Sequence, residues 1–394
     1  MEPIVSNDQL PKFSLVLGGP LYQLWRRVHL SGNSLEFLPR RMVVSALVAW
    51  LPLLLLSFLD GHVLGGTLKI PFLNDFETHA RFLVALPALI YAEVIVFTRL
   101  TPMIPRFIER HIIAPADMPR FRKAVDSALR LRNSVALELV MLGVVYTLGL
   151  WYWRSQMASG KAIWYSTPDA THLNLSYAGY WYVLVSIPLF QFILLRWYVR
   201  LVIWFRLLWQ ISRLKLRLTA AHPDRAGGIG FLGGISIAFS PICFAQGALL
   251  SGVIANKVLY DGRALMSFKM DAAALVCFFV LVTLGPLLMF SPQLVDEERR
   301  GKALYGLLAN RYTFGFEDKW LTGAPPDTNE LLGTADLQSL ADLGNSYSVV
   351  QSMRWVPFGN KDILRMAAAV PLVPLGLTVF SLEELLTRLV KALF

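Results

Sequence analysis

The sequence predicts an all-α fold: a polytopic bundle of about seven transmembrane helices with a small cytoplasmic helical hairpin. Three observations support this fold class. The 394 residues are 55% hydrophobic and only 16% charged, with a mean hydropathy of +0.51. Apolar runs recur near the length of about 20 residues that a bilayer core requires. Basic residues are concentrated in alternate connections between these runs. Such an apolar composition excludes a water-soluble fold.

Six apolar runs predict six membrane-spanning helices. They cover residues 42–59, 82–97, 136–153, 180–195 with a continuation towards Trp209, 235–254 and 272–290. A seventh run, 363–382, is weaker because Pro371 and Pro374 interrupt it and Arg365 in its first turn must extend its side chain to the interface. We expect this run to span the bilayer, and the alternative is that it re-enters on the same side.

The distribution of basic residues predicts the orientation. Of the 37 Lys and Arg residues, 28 fall before the first run and after the second, fourth and sixth, and nine fall on the other side. The positive-inside rule therefore puts the N-terminus in the cytoplasm. The same asymmetry accounts for the net charge of +10 without a nucleic-acid partner, because the basic residues flank apolar spans.

The pattern divides the chain into four parts. Residues 1–41 form a cytoplasmic interfacial segment whose aromatic and basic residues suit anionic lipid headgroups. Residues 42–290 form a six-span membrane domain, and residues 291–365 form a cytoplasmic helical segment. The last part, 363–394, combines the short seventh span with an amphipathic helix.

The cytoplasmic segment predicts two helices joined by a loop that contains Pro325 and Pro326. The first covers about residues 295–310. The second begins at Thr334 as its N-cap and carries apolar residues at helical spacing. Because so few of these residues are large and apolar, we expect the pair to dock under the membrane domain rather than fold alone.

The connection between the third and fourth spans, residues 154–179, is rich in aromatic residues. Trp164, Tyr165 and Tyr177 lie in it, beside Tyr182 of the next span. Such residues typically anchor a protein at the membrane interface. The alternative function for this connection is to cover a ligand path.

Glu93 lies some twelve residues into the second span. A charged side chain at that depth costs about 2.5 to 3.5 kcal/mol, so it requires a partner or a water path. One hypothesis is a proton or cation site. The other is a structural ion pair with an arginine such as Arg196. Glu138, at the start of the third span, is interpreted as an interfacial partner of Arg130 and Arg132.

The fifth span carries small and polar residues on one face. These are Ser236, Ser240, Cys243, Gly247 and Ser251, at intervals of 4, 3, 4 and 4. Gly234 and Gly252 lie on another face, where small residues favour close helix packing. A helix that carries small residues on two faces packs tightly between neighbouring helices. Alternatively, the serines together with Gln246 line a polar pathway.

Basic residues follow the fourth apolar run. They are Arg196, Arg200, Arg206, Arg213, Lys215 and Arg217, at intervals of 4, 6, 7, 2 and 2. These intervals do not form the single stripe of a voltage sensor. We interpret Arg196 and Arg200 as interfacial residues of a helix that leaves the bilayer on the cytoplasmic side.

Residues 222–232 combine His222, Pro223, Asp224 and Arg225 with glycines. The glycines allow a tight turn whose backbone amides could bind an anion. His222 and Asp224 could form an acid/base or metal pair. The alternative is a rigid corner in which Asp224 caps the following turn and pairs with Arg225. Neither the nucleotide-binding P-loop motif nor a dinucleotide fingerprint is present.

Two segments, residues 222–232 and residues 331–345, resemble those of a class of bacterial multi-pass inner-membrane proteins. The resemblance covers under a tenth of the chain. It implies a location in the bacterial inner membrane, and it implies no activity.

Three functions are compatible with the sequence. The first is a channel or transporter for a small solute or ion, with Glu93 and the serine face of the fifth span as its pathway. The second is a binding, assembly or sensory partner of other membrane proteins or of further copies of this chain. The third is an interfacial enzyme on lipid-linked substrates that uses His222 and Asp224. Zinc-protease spacing is missing, and no metal or cofactor is predicted.

Overall fold

A computed structural model describes residues 13–20, 22–23, 37–64, 68–149, 151, 163–168, 173–322 and 334–370. Within these residues, five helices are long and apolar enough to cross a membrane, and a pair bent by 47° adds a sixth crossing if it counts as one span. The protein is therefore a helical membrane protein. The end of the predicted seventh span and the C-terminal amphipathic helix lie outside the described residues.

The spanning helices are α1 (Leu38–Leu59), α2 (Phe76–Glu109), the bent pair α3 (Pro115–Arg132) and α4 (Val135–Gly149), α5 (Tyr177–Ser212), α6 (Gly230–Asp261) and α7 (Leu265–Trp320). Two shorter helices follow, α8 (Asp336–Gln351) and α9 (Asn360–Ala369). Strands β1 (Ser166–Pro168) and β2 (Leu173–Leu175) form an antiparallel hairpin before α5, with Ser166 opposite Leu175.

The core lies where α2, α5 and α6 pack together. Phe82 of α2, Trp197 and Trp204 of α5 and Phe239 of α6 are almost fully buried in it. The indole nitrogen of Trp197 donates a hydrogen bond to the Leu89 carbonyl oxygen at 2.9 Å, which ties α5 to α2. By contrast, α1, α4 and α7 expose many large apolar side chains, as helices that face lipid do.

The bundle has two ends that matter for function. Asp75 lies immediately before α2, and Glu93 lies 18 residues further along the chain. At a rise of about 1.5 Å per residue they are about 27 Å apart. We call these the Asp75 end and the Glu93 end. Helix α6 runs antiparallel to α2, so it begins at the Glu93 end and finishes beside Asp75.

The predicted sixth span and the helix predicted after it are one continuous helix of 56 residues. It begins with a 3-10 stretch, Leu265–Phe268, and a second 3-10 stretch, Gly285–Phe290, interrupts its α-helical pattern. Pro286 and Pro292 stand in the first positions of the 3-10 stretch and of the α-helical stretch that follows it, so the helix type changes where proline removes an amide donor. The sequence therefore predicts both helical segments but not that they form one continuous helix.

Helix α8 packs against α7. The Tyr312 hydroxyl donates to the Asp336 carbonyl oxygen at 3.1 Å, and Lys319 pairs with the Asp336 carboxylate at 2.6 Å. Ala335 is the N-cap of α8, so the helix begins one residue later than predicted and Thr334 lies outside it. The predicted loop with Pro325 and Pro326 is not among the described residues.

Candidate functional site

Glu93 is buried and ion-paired. Its carboxylate contacts the guanidinium of Arg41 on α1 through one oxygen. The other oxygen lies 3.1 Å from Arg200 Nη1 and 3.7 Å from Arg196 Nη1, both on α5. The structural pair with Arg196 is therefore present and is extended by two further arginines.

The charges continue from Glu93 towards α4. Arg196 Nε lies 3.6 Å from Glu138 Oε1, and Arg132, one of the two partners that the sequence suggested beside Arg130, lines the same small cavity as Glu138. We define the arginine cluster as Arg41, Arg132, Arg196 and Arg200 together with Glu93 and Glu138. Within the described residues it holds four cations and two carboxylates. Arg196 and Arg200 are buried in it rather than exposed at the interface.

An N-terminal segment, residues 13–20, covers the cluster. Phe13, Leu15 and Val16 are buried, and the Phe13 ring lies 6.0 Å from the Trp204 ring. Backbone carbonyl oxygens of alternate residues accept hydrogen bonds from the cluster. The pairs are Ser14 with Arg132, Val16 with Arg200 at 3.4 Å, and Gly18 with Arg196 at 3.3 Å. This part of the chain thus packs against the helices instead of along headgroups.

Little free space remains beside Glu93. One cavity lined by Glu93, Arg41 and Arg196 has a volume of about 10 Å³, and one lined by Glu138 and Arg132 has a volume of about 20 Å³. A cavity needs roughly 10 to 15 Å³ to hold one water molecule. The arrangement suits a fixed ion network better than a water-filled path.

The serines of α6 form local hydrogen bonds. Ser236 Oγ donates to the Gly233 carbonyl oxygen at 2.9 Å and lies 3.2 Å from Asp362 Oδ1 on α9. Ser240 Oγ donates to the Ile237 carbonyl oxygen at 2.8 Å. Their hydroxyl groups are therefore satisfied within the bundle.

The other two pathway candidates on α6 are half-buried. Gln246 forms a hydrogen bond with Tyr198 of α5, and Ser251 lies one turn further towards the Asp75 end. All four pathway candidates other than Glu93 lie on α6, and none of them lines the cavity beside Glu93.

The two glycines predicted to approach a neighbouring backbone differ. A Cβ at Gly252 would lie 2.9 Å from Glu77 Cα and from the Phe76 carbonyl oxygen. A Cβ at Gly234 would approach only the end of the Met103 side chain, at 3.1 Å. Close backbone packing is thus present at Gly252 only.

The backbone amides of the glycine-rich turn bind a carboxylate of the same turn, that of Asp224. One oxygen of Asp224 accepts hydrogen bonds from the amides of Ala226 at 2.8 Å and Gly228 at 3.1 Å, and the other accepts from Gly230 at 2.9 Å. His222 Nδ1 lies 2.9 Å from the same carboxylate. The turn is therefore a rigid corner in which Asp224 pairs with His222 and the amides, not with Arg225 as predicted.

The surroundings lower the pKa of Asp224. Burial opposes ionisation, but the amides of Ala226, Gly230 and Gly228 and then His222 outweigh it. Since the carboxylate is already bound by the turn, it is poorly suited to act as a base or metal ligand. No group of three potential metal-ligating residues occurs in the described part of the chain.

A pocket that the sequence did not indicate lies at the Asp75 end. Its volume is about 170 Å³, and it opens between the start of α2, the end of α6 and residues 163–165. Its polar and aromatic lining residues include Asp75, Glu77, Asn256, Lys257, Asp261, Tyr165, Tyr182 and Tyr260. We call it the Asp75 pocket.

Asp75 is a buried carboxylate held by neutral donors. Its Oδ1 accepts from the Thr78 amide at 3.3 Å and Asn256 Nδ2 at 2.7 Å. Its Oδ2 accepts from Thr78 Oγ1 at 2.5 Å and Trp164 Nε1 at 2.9 Å. These donors carry no charge and occupy both oxygens, so Asp75 acts on an incoming ligand through its charge and not through a further hydrogen bond, and the Arg81 cation interacts with the same charge.

The other two carboxylates of the pocket have cationic partners. Glu77 pairs with Arg81, and Asp261 pairs with Lys69 at 2.9 Å. Lys257 is the cation in the pocket wall, and its Nζ lies 5.8 Å from the centre of the Phe268 ring. Asp75 therefore supplies the buried charge that an incoming ligand would meet.

Aromatic rings form one side of the pocket. Tyr165 and Tyr182 are stacked, with ring centres 5.0 Å apart. Burial, and then the neighbouring Tyr182, Asp75 and Glu77, raise the pKa of Tyr165 well above its ordinary value, so its hydroxyl stays protonated. Trp164 was predicted as an interfacial anchor but is fully buried beside Asp75.

Comparison with known proteins does not indicate what these sites bind. No protein-family model, curated protein or solved structure matches the chain. The function has to be argued from the charges and cavities of the molecule itself.

Proposed function

We propose that the protein binds a small organic cation in the Asp75 pocket and acts as a binding or sensory protein of the bacterial inner membrane. The observation that carries the proposal is the buried Asp75 carboxylate, held by neutral donors in the wall of a pocket of about 170 Å³. The orientation predicted from the basic residues places this pocket on the periplasmic side.

The chemistry of the wall favours a positively charged ligand. A carboxylate in a partly desolvated site attracts cations more strongly than it would in water. Tyr165 and Tyr182 line the pocket, and a cation over the open side of the stacked rings would gain cation–π attraction of about 0.5 to 2 kcal/mol. Since a cavity needs roughly 10 to 15 Å³ to hold one water molecule, a pocket of about 170 Å³ has room for an ammonium compound of the size of choline.

Binding to the Asp75→Asn variant tests this proposal. Asparagine keeps the side-chain oxygen that caps the first turn of α2 and removes the charge. We expect wild-type protein in detergent to bind choline and ethylammonium, measured by calorimetry, and Asp75→Asn to bind both at least about tenfold more weakly. Exposed Asp271 provides a matched control, Asp271→Asn, which should bind as wild type.

A neutral isostere of choline separates charge from shape. In 3,3-dimethyl-1-butanol, a carbon replaces the quaternary nitrogen, and we expect no binding of this alcohol. Equal affinity for the alcohol and choline, or unchanged affinity in Asp75→Asn, contradicts the proposal.

Transport is the second candidate, and one observation favours it. Helix α6 connects the two ends and carries Ser236, Ser240, Gln246 and Ser251 between them. Flux of radiolabelled choline into liposomes measures transport directly. The enzyme alternative has less support, because the turn amides already bind the Asp224 carboxylate.

A further inference from the structure

The Asp75 pocket contains a cation in addition to its carboxylates. Lys257 belongs to the part of α6 that lines the pocket, together with Val253, Asn256, Tyr260 and Asp261. Residues that follow the first at three, four, seven and eight positions share one face of a helix. Lys257 therefore points into the same cavity whose wall holds the Asp75 carboxylate.

The Lys257 ammonium group forms a ring contact but no ion pair within the described residues. Its Nζ lies 5.8 Å from the centre of the Phe268 ring. The nearby carboxylates of the pocket have other cationic partners, because Glu77 pairs with Arg81 and Asp261 pairs with Lys69. An ammonium group has three N–H donors. Those of half-buried Lys257 are therefore available to a ligand in the pocket.

We propose that the ligand of the Asp75 pocket is a small zwitterion, whose ammonium group lies near Asp75 and whose carboxylate binds Lys257. This inference rests on the proposed function, because it specifies a second charged group on the same organic cation. Small amino acids and betaines belong to this chemical class. Their two opposite charges match the two opposite charges that the wall presents.

Burial indicates which end of the ligand lies deeper. Asp75 is only 5% exposed, whereas Lys257 is half-buried. The ammonium group of the ligand would thus lie inward, beside Tyr165 and Tyr182, and its carboxylate would lie towards the opening. A charge-assisted hydrogen bond from lysine to a carboxylate is stronger than a hydrogen bond between neutral groups.

Other donors on this face of α6 are engaged in holding the helix against the start of α2. Asn256 Nδ2 donates to Asp75 Oδ1 at 2.7 Å. The Tyr260 hydroxyl donates to the Asn74 carbonyl oxygen at 3.0 Å. Among the described residues of this face, Lys257 is the one that combines free donors with a positive charge, so it is the group suited to bind a carboxylate.

A solute with a single charge meets one unfavourable group in this wall. A cation such as choline is attracted by Asp75 but repelled by Lys257. An anion is attracted by Lys257 but repelled by Asp75. Since a zwitterion of suitable length is attracted by both, it should bind more tightly than either kind of ion.

Two ligands that differ only in the carboxylate test the inference. Glycine betaine has the trimethylammonium group of choline, with a carboxylate in place of the hydroxymethyl group. We expect calorimetry on the full chain in detergent to show that betaine binds about tenfold more tightly than choline. In 3,3-dimethylbutanoate, a carbon replaces the nitrogen of betaine, and we expect no binding of this anion.

Substitution of Lys257 tests whether this residue causes the preference. Lys257→Met removes the charge and keeps the length of the side chain. Betaine should bind about tenfold more weakly to it, whereas choline should bind at least as tightly, because a positive charge has left the wall. Lys257→Arg keeps the charge and should still prefer betaine. Exposed Lys269 does not line the pocket, so Lys269→Met is the control and should bind both ligands as wild type.

The outcomes separate this inference from the proposed function. Choline binding that depends on Asp75, without tighter binding of betaine, retains the proposed function and overturns the inference. Binding of neither ligand overturns both. A betaine preference that persists in Lys257→Met, or equal weakening of both ligands, also overturns the inference. If Lys257→Met does not fold, Lys257→Gln replaces it, and the comparison of betaine with choline in the wild type requires no variant.

Discussion

Glu93 joins three helices at one end of the bundle. Its partners come from α1 and α5, and the carboxylate itself belongs to α2. Three arginines around one carboxylate make the pairing robust towards the loss of a single arginine, but not towards the loss of Glu93. A neutral residue at this position would leave buried guanidinium groups without their main partner.

We therefore expect Glu93→Gln to destabilise the protein. Removing one partner of a buried pair costs roughly 3 to 5 kcal/mol, which thermal melting in detergent measures. Glu109→Gln, at the exposed end of the same helix, should melt as wild type. The folded fraction of Glu93→Gln should retain wild-type ion and proton flux in liposomes. A stable variant with altered pH dependence of flux would instead support a pathway through Glu93.

The Asp224 turn predicts a specific pH dependence. Because folding lowers the pKa of Asp224, the ionised carboxylate stabilises the folded state above the ordinary aspartate pKa of about 4. This stabilisation is lost as the pH falls through the lower pKa of the folded protein. The difference in melting temperature between wild type and Asp224→Asn should be constant from about pH 5 to 7 and should shrink below about pH 4. A constant difference down to pH 2.5 would contradict the role given to this carboxylate, and exposed Asp126→Asn is the control.

At the scale of the helices, close packing of α6 against α2 depends on Gly252. The backbone of Phe76 and Glu77 and the Cβ of Ala80 occupy the space that a side chain at position 252 would need. At Gly234 only the flexible end of Met103 is near. The sequence predicts close packing at both glycines, because it does not show which residue of α2 lies opposite each one.

We expect Gly252→Leu to be much more disruptive than Gly234→Leu. Overpacking costs about 1 to 3 kcal/mol, and a rigid backbone cannot yield as a methionine side chain can. Melting temperature and monodispersity in detergent measure the difference. Equal tolerance of both substitutions would show that α6 does not contact α2 closely at position 252.

At the scale of the whole molecule, orientation depends on the basic residues. The asymmetry of 28 to nine across the predicted spans predicts that the Glu93 end is cytoplasmic. A reporter fused near Asn345 should then read cytoplasmic, and one fused after Phe394 should read periplasmic. Two cytoplasmic readings would mean that residues 363–382 re-enter instead of spanning.

The sequence by itself determined the membrane class and the approximate position of five or six spans. The length of an apolar run is a local property of the sequence, so composition and hydropathy are sufficient to predict a span. The end of a helix depends on caps and prolines in three dimensions, which is why the fusion of the sixth span with the following helix was not foreseen. Glu93 was also identifiable locally, because a charge inside an apolar run is conspicuous.

Only the tertiary structure decided what these residues contact. Glu93, Arg41 and Arg200 are far apart in sequence, and nothing in their local patterns links them. Asp75 lies just before a span and looks like an ordinary helix cap. It becomes the centre of a pocket because folding brings Trp164 and Asn256 to it, from 89 and 181 residues away. Spans are set by local hydrophobicity, whereas binding sites are set by contacts between distant residues, and those contacts exist only after the helices have packed.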